Sequence, residues 1–122
     1  MARIMVVDDS GYARRVHRRI LEDAGHQVVE AGSGAAALEA CFLEKPDLVL
    51  LDLSMGDISG LEVLSHLREL DPHVRAIVVS ADVQRSTEAL VRAAGAARFL
   101  GKPASPDTLL EAVDAVLDEV PQ

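Results

Sequence analysis

A short apolar run that ends in a carboxylate constrains the fold of this chain more than any other feature. The run covers residues 48–51 (Leu-Val-Leu-Leu), and Asp52 follows it directly. Consecutive apolar residues of this kind are typical of a strand buried on both faces in a parallel sheet. An ionised carboxylate in that environment is unfavourable unless a cation pairs with it. Asp52 is therefore expected at the exposed carboxyl end of the strand or beside a cation, with a simple capping role as the alternative.

Strand and helix patterns alternate along the sequence. Apolar runs predict five strands, at about residues 3–7, 26–31, 48–52, 75–79 and 97–100. Helical spacing predicts five helices, at about residues 12–24, 34–44, 60–70, 84–94 and 106–119. This alternation predicts one α/β domain over residues 1–122, with a parallel sheet covered on both faces. An open, doubly wound (βα)5 sheet of flavodoxin-like strand order 2-1-3-4-5 fits this length, whereas a complete (βα)8 barrel needs about 250 residues.

Charge and cysteine content narrow the environment of the protein. The net charge of −8 argues against direct binding to nucleic acid or to an anionic membrane surface. No apolar run approaches the roughly 18 residues of a membrane span. The single cysteine, Cys41, has no partner for an internal disulfide. We therefore expect a cytoplasmic protein.

Polar residues gather where the predicted strands end. Asp8 and Asp9 close the first strand, Asp52 closes the third, Ser80 closes the fourth, and Lys102 follows the fifth. Open α/β sheets form their sites at this edge, where the strand order reverses. With strands one and three adjacent, the three carboxylates converge, and each pair at ~5 Å repels by roughly 3 kcal/mol. Oxygen ligands without His or Cys favour Mg²⁺ over zinc, with Lys102 as the second cation.

Several chemistries do not fit these residues. The turn after the first strand, Asp8-Asp9-Ser10-Gly11, is not a dinucleotide-binding fingerprint, and a phosphate-binding loop ending in Gly-Lys-Ser/Thr is absent from the sequence. No histidine stands at a strand end as the base of a hydrolase triad. Transfer of a phosphoryl group onto a carboxylate remains, and it requires a metal, a cation and a small donor. Mg²⁺ would be the metal, Lys102 the cation and the Ser80 hydroxyl the small hydrogen-bond donor.

The motifs together resemble the receiver domain of two-component response regulators. They are residues 6–10 (Val-Val-Asp-Asp-Ser), 50–55 (Leu-Leu-Asp-Leu-Ser-Met) with Gly60 downstream, 80–81 (Ser-Ala) and 102–103 (Lys-Pro). The resemblance covers essentially the whole chain. It implies a signalling switch that accepts a phosphoryl group and assists its own phosphorylation and dephosphorylation, and that is not otherwise an enzyme.

The same resemblance assigns roles to residues. Asp52 would accept the phosphoryl group from a partner histidine. Asp9 and Asp52 would bind Mg²⁺ directly, with the backbone carbonyl of Ser54 as a further ligand and Asp8 acting mainly through water. Lys102 and Ser80 would bind phosphoryl oxygens. On phosphorylation the Ser80 hydroxyl would move inward, and the aromatic ring at position 99, here Phe99, would follow it.

The sequence departs from the family pattern at three positions. Gly56 stands where the family usually has Pro, and Ala104 stands where a Phe is common. Phe99 lacks the hydroxyl of the Tyr that many members carry, so the expected switch depends on ring packing. The loss of Phe at position 104 weakens the case for the dimer face of DNA-binding relatives, and a monomer or weak dimer is expected.

The expected partners are proteins. A sensor histidine kinase or a histidine phosphotransfer protein would donate the phosphoryl group, and a downstream protein target would receive the signal. The basic face of the first helix is the expected docking surface for the donor: Arg14, Arg15, Arg18 and Arg19. Two alternatives stay open, a receiver fragment with an output domain beyond residue 122 and a binding module that works without phosphorylation. His17, His66 and His73 are expected at the surface without a role.

Overall fold

Five strands alternate with five helices in the computed structural model, which describes residues 2–53 and 59–119. The strands are β1 (Arg3–Val7), β2 (Gln27–Ala31), β3 (Leu48–Asp52), β4 (Arg75–Ser80) and β5 (Arg98–Gly101). The helices are α1 (Gly11–Asp23), α2 (Gly34–Glu44), α3 (Gly60–Leu70), α4 (Arg85–Ala93) and α5 (Pro106–Asp118). The predicted alternation is confirmed.

The strands form one parallel sheet in the order β2-β1-β3-β4-β5. This is the predicted doubly wound, flavodoxin-like order, so the fold class is confirmed. β1 and β3 are adjacent, with Val7 opposite Leu51, and β3 pairs with β4 so that Asp52 lies opposite Val79. Ser80 lies opposite Gly101. The carboxyl ends of β1, β3, β4 and β5 therefore meet along one edge.

The central strand is buried along its whole length, as the apolar run predicted. All five residues of β3 are buried. Successive side chains point to opposite faces of a strand, so Val49 and Leu51 enter one core layer while Leu48 and Leu50 enter the other. The first layer is covered by α2, α3 and α4, and the second by α1 and α5.

Serine side chains fix the start of four helices. The hydroxyl oxygens of Ser10, Ser33, Ser59 and Ser105 each accept a hydrogen bond from a backbone amide three residues later, at 3.1–3.2 Å. Such caps satisfy amides that have no partner within the helix. Helix α4 differs, because its first flanking residue, Gln84, makes no such bond and the helix buries only Val91.

Among the helices of residues 2–53 and 59–119, none is both long enough and apolar enough to cross a lipid bilayer.

Candidate functional site

Three carboxylates converge at the edge where β1 and β3 end. One carboxylate oxygen from each of Asp8, Asp9 and Asp52 lies within 4.8 Å of the others. Asp8 is 2% exposed and Asp52 is 6% exposed, whereas Asp9 is exposed to solvent. The parallel pairing of β1 with β3 brings these residues together, because it places Val7 beside Leu51 immediately before them. The sequence predicted this convergence.

Lys102 lies against two of the carboxylates. Its Nζ atom is 3.0 Å from Asp8 Oδ2 and 3.3 Å from Asp52 Oδ1. Burial by itself would lower the pKa of the Lys102 ammonium, but hydrogen bonds and charge attraction from Asp8 and Asp52 outweigh burial and raise the pKa above its ordinary value. The side chain therefore remains a cation at neutral pH. It partly compensates two buried carboxylates that would otherwise be costly to ionise.

The backbone positions Asp8 and Lys102. The Asp8 amide donates to the carbonyl of Ala31 at 3.1 Å, and Asp8 Oδ1 accepts a hydrogen bond from the Ser10 amide at 2.9 Å. One Asp8 oxygen thus faces Ser10 and the other faces Lys102. The Lys102 amide donates to the carbonyl of Ser80 at 2.9 Å, which extends the pairing of β4 with β5. This backbone hydrogen bond places Lys102 at the end of β5, from which its ammonium reaches Asp8 and Asp52.

The donor set fits a hard divalent cation. The three groups are all carboxylates whose close oxygens repel one another, and a cation bound between them would offset that repulsion. Oxygen ligands of this kind suit Mg²⁺. Ser54, the further ligand that the family resemblance suggests, lies outside the described residues, as does Gly56.

Ser80 lies at the same edge and is 1% exposed. Its Oγ accepts a hydrogen bond from the Asp82 amide at 3.0 Å, so the turn after β4 fixes the hydroxyl oxygen. Phe99 lies on β5 opposite Val78. Its ring is partly buried and packs against the core layer beneath α2, α3 and α4. The structure thus places Ser80 at the carboxylate edge and Phe99 two residue pairs before Ser80 and Gly101 in the ladder.

The basic face of α1 is less available than its sequence suggests. Arg14 Nε and Arg18 Nη1 donate to the two carboxylate oxygens of Glu30 on β2, at 3.0 and 2.8 Å. The hydrogen bonds from Arg18, followed by those from Arg14, lower the pKa of Glu30 despite the opposing effect of burial. Arg14 Nη1 also donates to the Asp8 carbonyl at 2.7 Å. Arg14 and Arg18 therefore tie α1 to β2 and to the site, and Arg15 and Arg19 remain as its exposed cations.

His17 is a residue whose position the sequence interpretation missed. It is half-buried in a depression of about 450 Å³ that it shares with Tyr12, Val16, Lys102 and Pro103. Burial is the main cause that lowers the pKa of His17, so its imidazole is neutral at pH 7. The signal was present in the helical spacing, because His17 follows Ala13 by four residues and precedes Ile20 by three.

Comparisons with known proteins agree with this geometry. The model of the family described as "Response regulator receiver domain" matches residues 4–114. The chemotaxis protein CheY of Bacillus subtilis is 37% identical over 117 residues, covering 95% of this chain and 98% of that protein. The polar-differentiation response regulator DivK of Brucella anthropi is 28% identical over 118 residues, covering 95% and 96%.

Solved structures and longer relatives extend the comparison. A CheY-like receiver domain protein from Methanospirillum hungatei superposes with a TM-score of 0.92 at 30% identity, covering 97% of this chain and 94% of that one. The alginate biosynthesis regulatory protein AlgB of Pseudomonas putida is 40% identical over 107 residues, covering 88% of this chain but 24% of that protein. The chain therefore belongs to the receiver-domain family of response regulators, which serve phosphorelay signalling in two-component systems.

Proposed function

We propose that Asp52 accepts a phosphoryl group from a phosphohistidine of a partner protein. The observation that carries this proposal is the contact of one ammonium, Lys102 Nζ, with both Asp8 and Asp52 inside a cluster of three carboxylates. Asp8, Asp9 and Asp52 would hold a Mg²⁺ ion, together with the backbone carbonyl of Ser54. When bound, the ion supplies positive charge that neutralises phosphoryl oxygens.

The reaction forms one bond and breaks one. An Asp52 carboxylate oxygen attacks phosphorus, the phosphorus–nitrogen bond of the donor breaks, and its electron pair returns to the imidazole. Charge spreads over the three equatorial oxygens of the transferring group. The Lys102 ammonium, already held beside Asp52, stabilises one of these oxygens without rearrangement of the backbone. The Ser80 hydroxyl, at the end of the next strand, would donate to another.

The signal would leave the site through β4 and β5. Ser80 and Phe99 lie on these paired strands. Ser80 is the last residue of β4, and the turn that follows it leads to α4. A Ser80 hydroxyl that turns toward the phosphoryl group would give up its contact with the Asp82 amide. The Phe99 ring has no hydroxyl to hold it outward, so its two positions differ only in packing. The face formed by α4, β5 and α5 would then change shape.

The protein would act as a switch and not as an enzyme on other substrates. Its donor would be a sensor histidine kinase or a histidine phosphotransfer protein, and a downstream protein would receive the signal in the cytoplasm. We infer a monomer or weak dimer that works without direct nucleic-acid or membrane contact. A receiver within a longer regulator is the second candidate, which the match to one part of AlgB favours.

The proposal predicts labelling at a single residue. Incubation with Mg²⁺ and acetyl phosphate should add one acid-labile phosphoryl group, detected by intact-protein mass spectrometry. Asp52→Asn should abolish the adduct, because an amide oxygen is a poor nucleophile. Asp23→Asn, at an exposed residue at the end of α1, is the control and should label like the parent protein. Persistent labelling of Asp52→Asn would show that another residue accepts the group.

A further inference from the structure

A groove runs between α2 and α3, on the surface that covers the first core layer. Its volume is about 680 Å³. Phe42 from α2 and Leu70 from α3 contribute apolar surface to it and are 69% and 51% exposed. Large apolar side chains that are both exposed and adjacent mark interaction surfaces more often than isolated ones do. We call this surface the α2–α3 groove.

The sides of the α2–α3 groove are acidic. Glu39 from α2 and Glu62 and Glu69 from α3 line it, together with His66. Among the residues that line this groove, all of which the structure describes, none is Lys or Arg. Three carboxylates around an apolar floor create a negative potential that attracts cationic groups.

We propose that the α2–α3 groove binds a basic amphipathic helix of a partner protein. Two helices that pack side by side leave a straight valley, and an apolar helix face fits such a valley. Lysine or arginine residues beside that face would meet the glutamates along both sides. The occupant is thus defined by its chemistry: an apolar stripe with a spacing of three and four residues, flanked by cations.

A second copy of this chain fits the groove less well. In a two-fold symmetric contact the same patch meets itself, so Glu39, Glu62 and Glu69 of each copy would face those of the other. A chain with a net charge of −8 adds further repulsion. Stable interfaces also bury about 800 Å² on each partner, whereas this groove offers few large apolar side chains.

The groove is separate from the carboxylate site. It shares no residue with the cluster of Asp8, Asp9, Asp52 and Lys102. The inference therefore goes beyond the proposed function, and binding to the groove is expected whether or not Asp52 is phosphorylated.

A designed peptide tests the proposal. The probe is a leucine–lysine amphipathic helix of about 20 residues, and its control is a peptide of the same composition in scrambled order. In two-dimensional amide NMR spectra of the full chain, the probe should shift signals of α2 and α3 around Phe42 and Leu70. The scrambled peptide should bind at least tenfold more weakly, because it cannot present an apolar stripe.

Matched variants assign the binding to the groove. Phe42→Ala should weaken the probe's binding about tenfold, as loss of a central apolar contact does. Leu43→Ala, at the neighbouring residue that is 66% exposed but does not line the groove, should leave the affinity unchanged. Glu39→Gln should weaken binding about two- to fivefold at low salt, whereas Glu111→Gln on α5 should not. Phe42→Ala should keep the dispersed amide NMR spectrum of the parent protein outside the groove, which shows that the domain remains folded.

Three results would overturn the inference. The first is a shift map centred away from α2 and α3. The second is equal affinity for the probe and the scrambled peptide. The third is sedimentation of the parent protein as a dimer that Phe42→Ala dissociates, because a second copy would then be the occupant. None of these results bears on labelling of Asp52, so the two proposals fail separately.

Discussion

At the scale of single residues, the site depends on one lysine shared between two buried acids. Lys102 Nζ contacts Asp8 Oδ2 and Asp52 Oδ1. The chain contains one other lysine, Lys45, which follows the last residue of α2 as its C-cap. Charge-assisted contacts of this length are strong when their partners are buried. Removing the ammonium takes away a cation that two buried carboxylates share.

Substitution of this lysine should separate metal binding from phosphoryl transfer. Lys102→Gln should still bind Mg²⁺, measured by calorimetry, because the three carboxylates remain. Its rate of labelling by acetyl phosphate should fall on the order of 10²-fold, the usual loss when one stabilising donor is removed. Lys45→Gln is the matched control and should label at the parent rate. Equal rates for both variants would remove Lys102 from the mechanism.

The sequence predicted which residues would meet but not every contact they make. Asp8, Asp9, Asp52 and Lys102 each follow a strand, so the strand order alone brings them to one edge. The pairing of Glu30 with Arg14 and Arg18 was not predicted, because it depends on the rotation of α1 relative to β2. The residue pattern of a helix indicates which of its faces is charged. It does not indicate which side chains of a neighbouring strand lie against that face.

At the scale of elements, Gly60 determines how α3 approaches the end of β3. Its amide donates to the carbonyl of Leu53 at 3.2 Å. A Cβ atom at position 60 would lie 2.7 Å from both the Cα and the carbonyl oxygen of Leu53, which are backbone atoms that cannot turn aside. The absence of a side chain therefore allows α3 to begin directly against the residue that follows Asp52.

Gly60→Ala should accordingly disturb both stability and labelling. We expect a loss of about 1–3 kcal/mol in the free energy of unfolding, since the added methyl forces the backbone apart. Labelling of Asp52 should slow because Leu53 must move. Urea unfolding and acetyl phosphate labelling measure the two effects. Gly11→Ala is the control: its added Cβ would meet only arginine side-chain ends at 3.4 and 3.5 Å, and its stability should not fall.

Element boundaries show how pairing extends a strand beyond its apolar pattern. The sequence predicted that the fourth and fifth strands end at residues 79 and 100, whereas β4 and β5 each continue one residue further. Ser80 and Gly101 lie opposite each other in the ladder. Because Ser80 is polar and Gly101 has no side chain, an apolar pattern does not include them. Backbone hydrogen bonds to the neighbouring strand, which composition does not report, keep them extended.

At the scale of the whole molecule, the order of strands concentrates negative charge at one edge. The chain carries a net charge of −8, and three of its acids lie within 4.8 Å of one another. The apolar pattern fixed the number of strands. The order became predictable because residues of complementary chemistry stand at the ends of strands one, three and five. The α2–α3 groove was not predicted, since it arises only when two helices pack.

The free energy of unfolding should depend on whether Mg²⁺ is bound to the three clustered carboxylates. Mg²⁺ at about 100 times its dissociation constant should raise the free energy of unfolding of the parent protein by about 2.7 kcal/mol. Asp9→Asn should lose most of that increase, because the metal loses a ligand. Without Mg²⁺ the same variant should be as stable as the parent or more so, because one repelling charge is gone. Asp23→Asn should follow the parent in both conditions during urea unfolding.

An equal response of Asp9→Asn and the parent protein to Mg²⁺ would contradict this assignment.

Helices α1 and α4 are joined to the sheet edge by different hydrogen bonds. Arg14 and Arg18 bind α1 to β2 and to the Asp8 backbone. The start of α4 has no side-chain cap from Gln84, and the Thr87 hydroxyl of its first turn donates to Asp82 at 2.7 Å. A protein that docks against α1 would meet two arginine side chains already held by hydrogen bonds, so docking would have fewer side chains to order. A ligand that prefers a second position of α4 would have to break the contact of Thr87 with Asp82, in the same turn whose amide donates to Ser80.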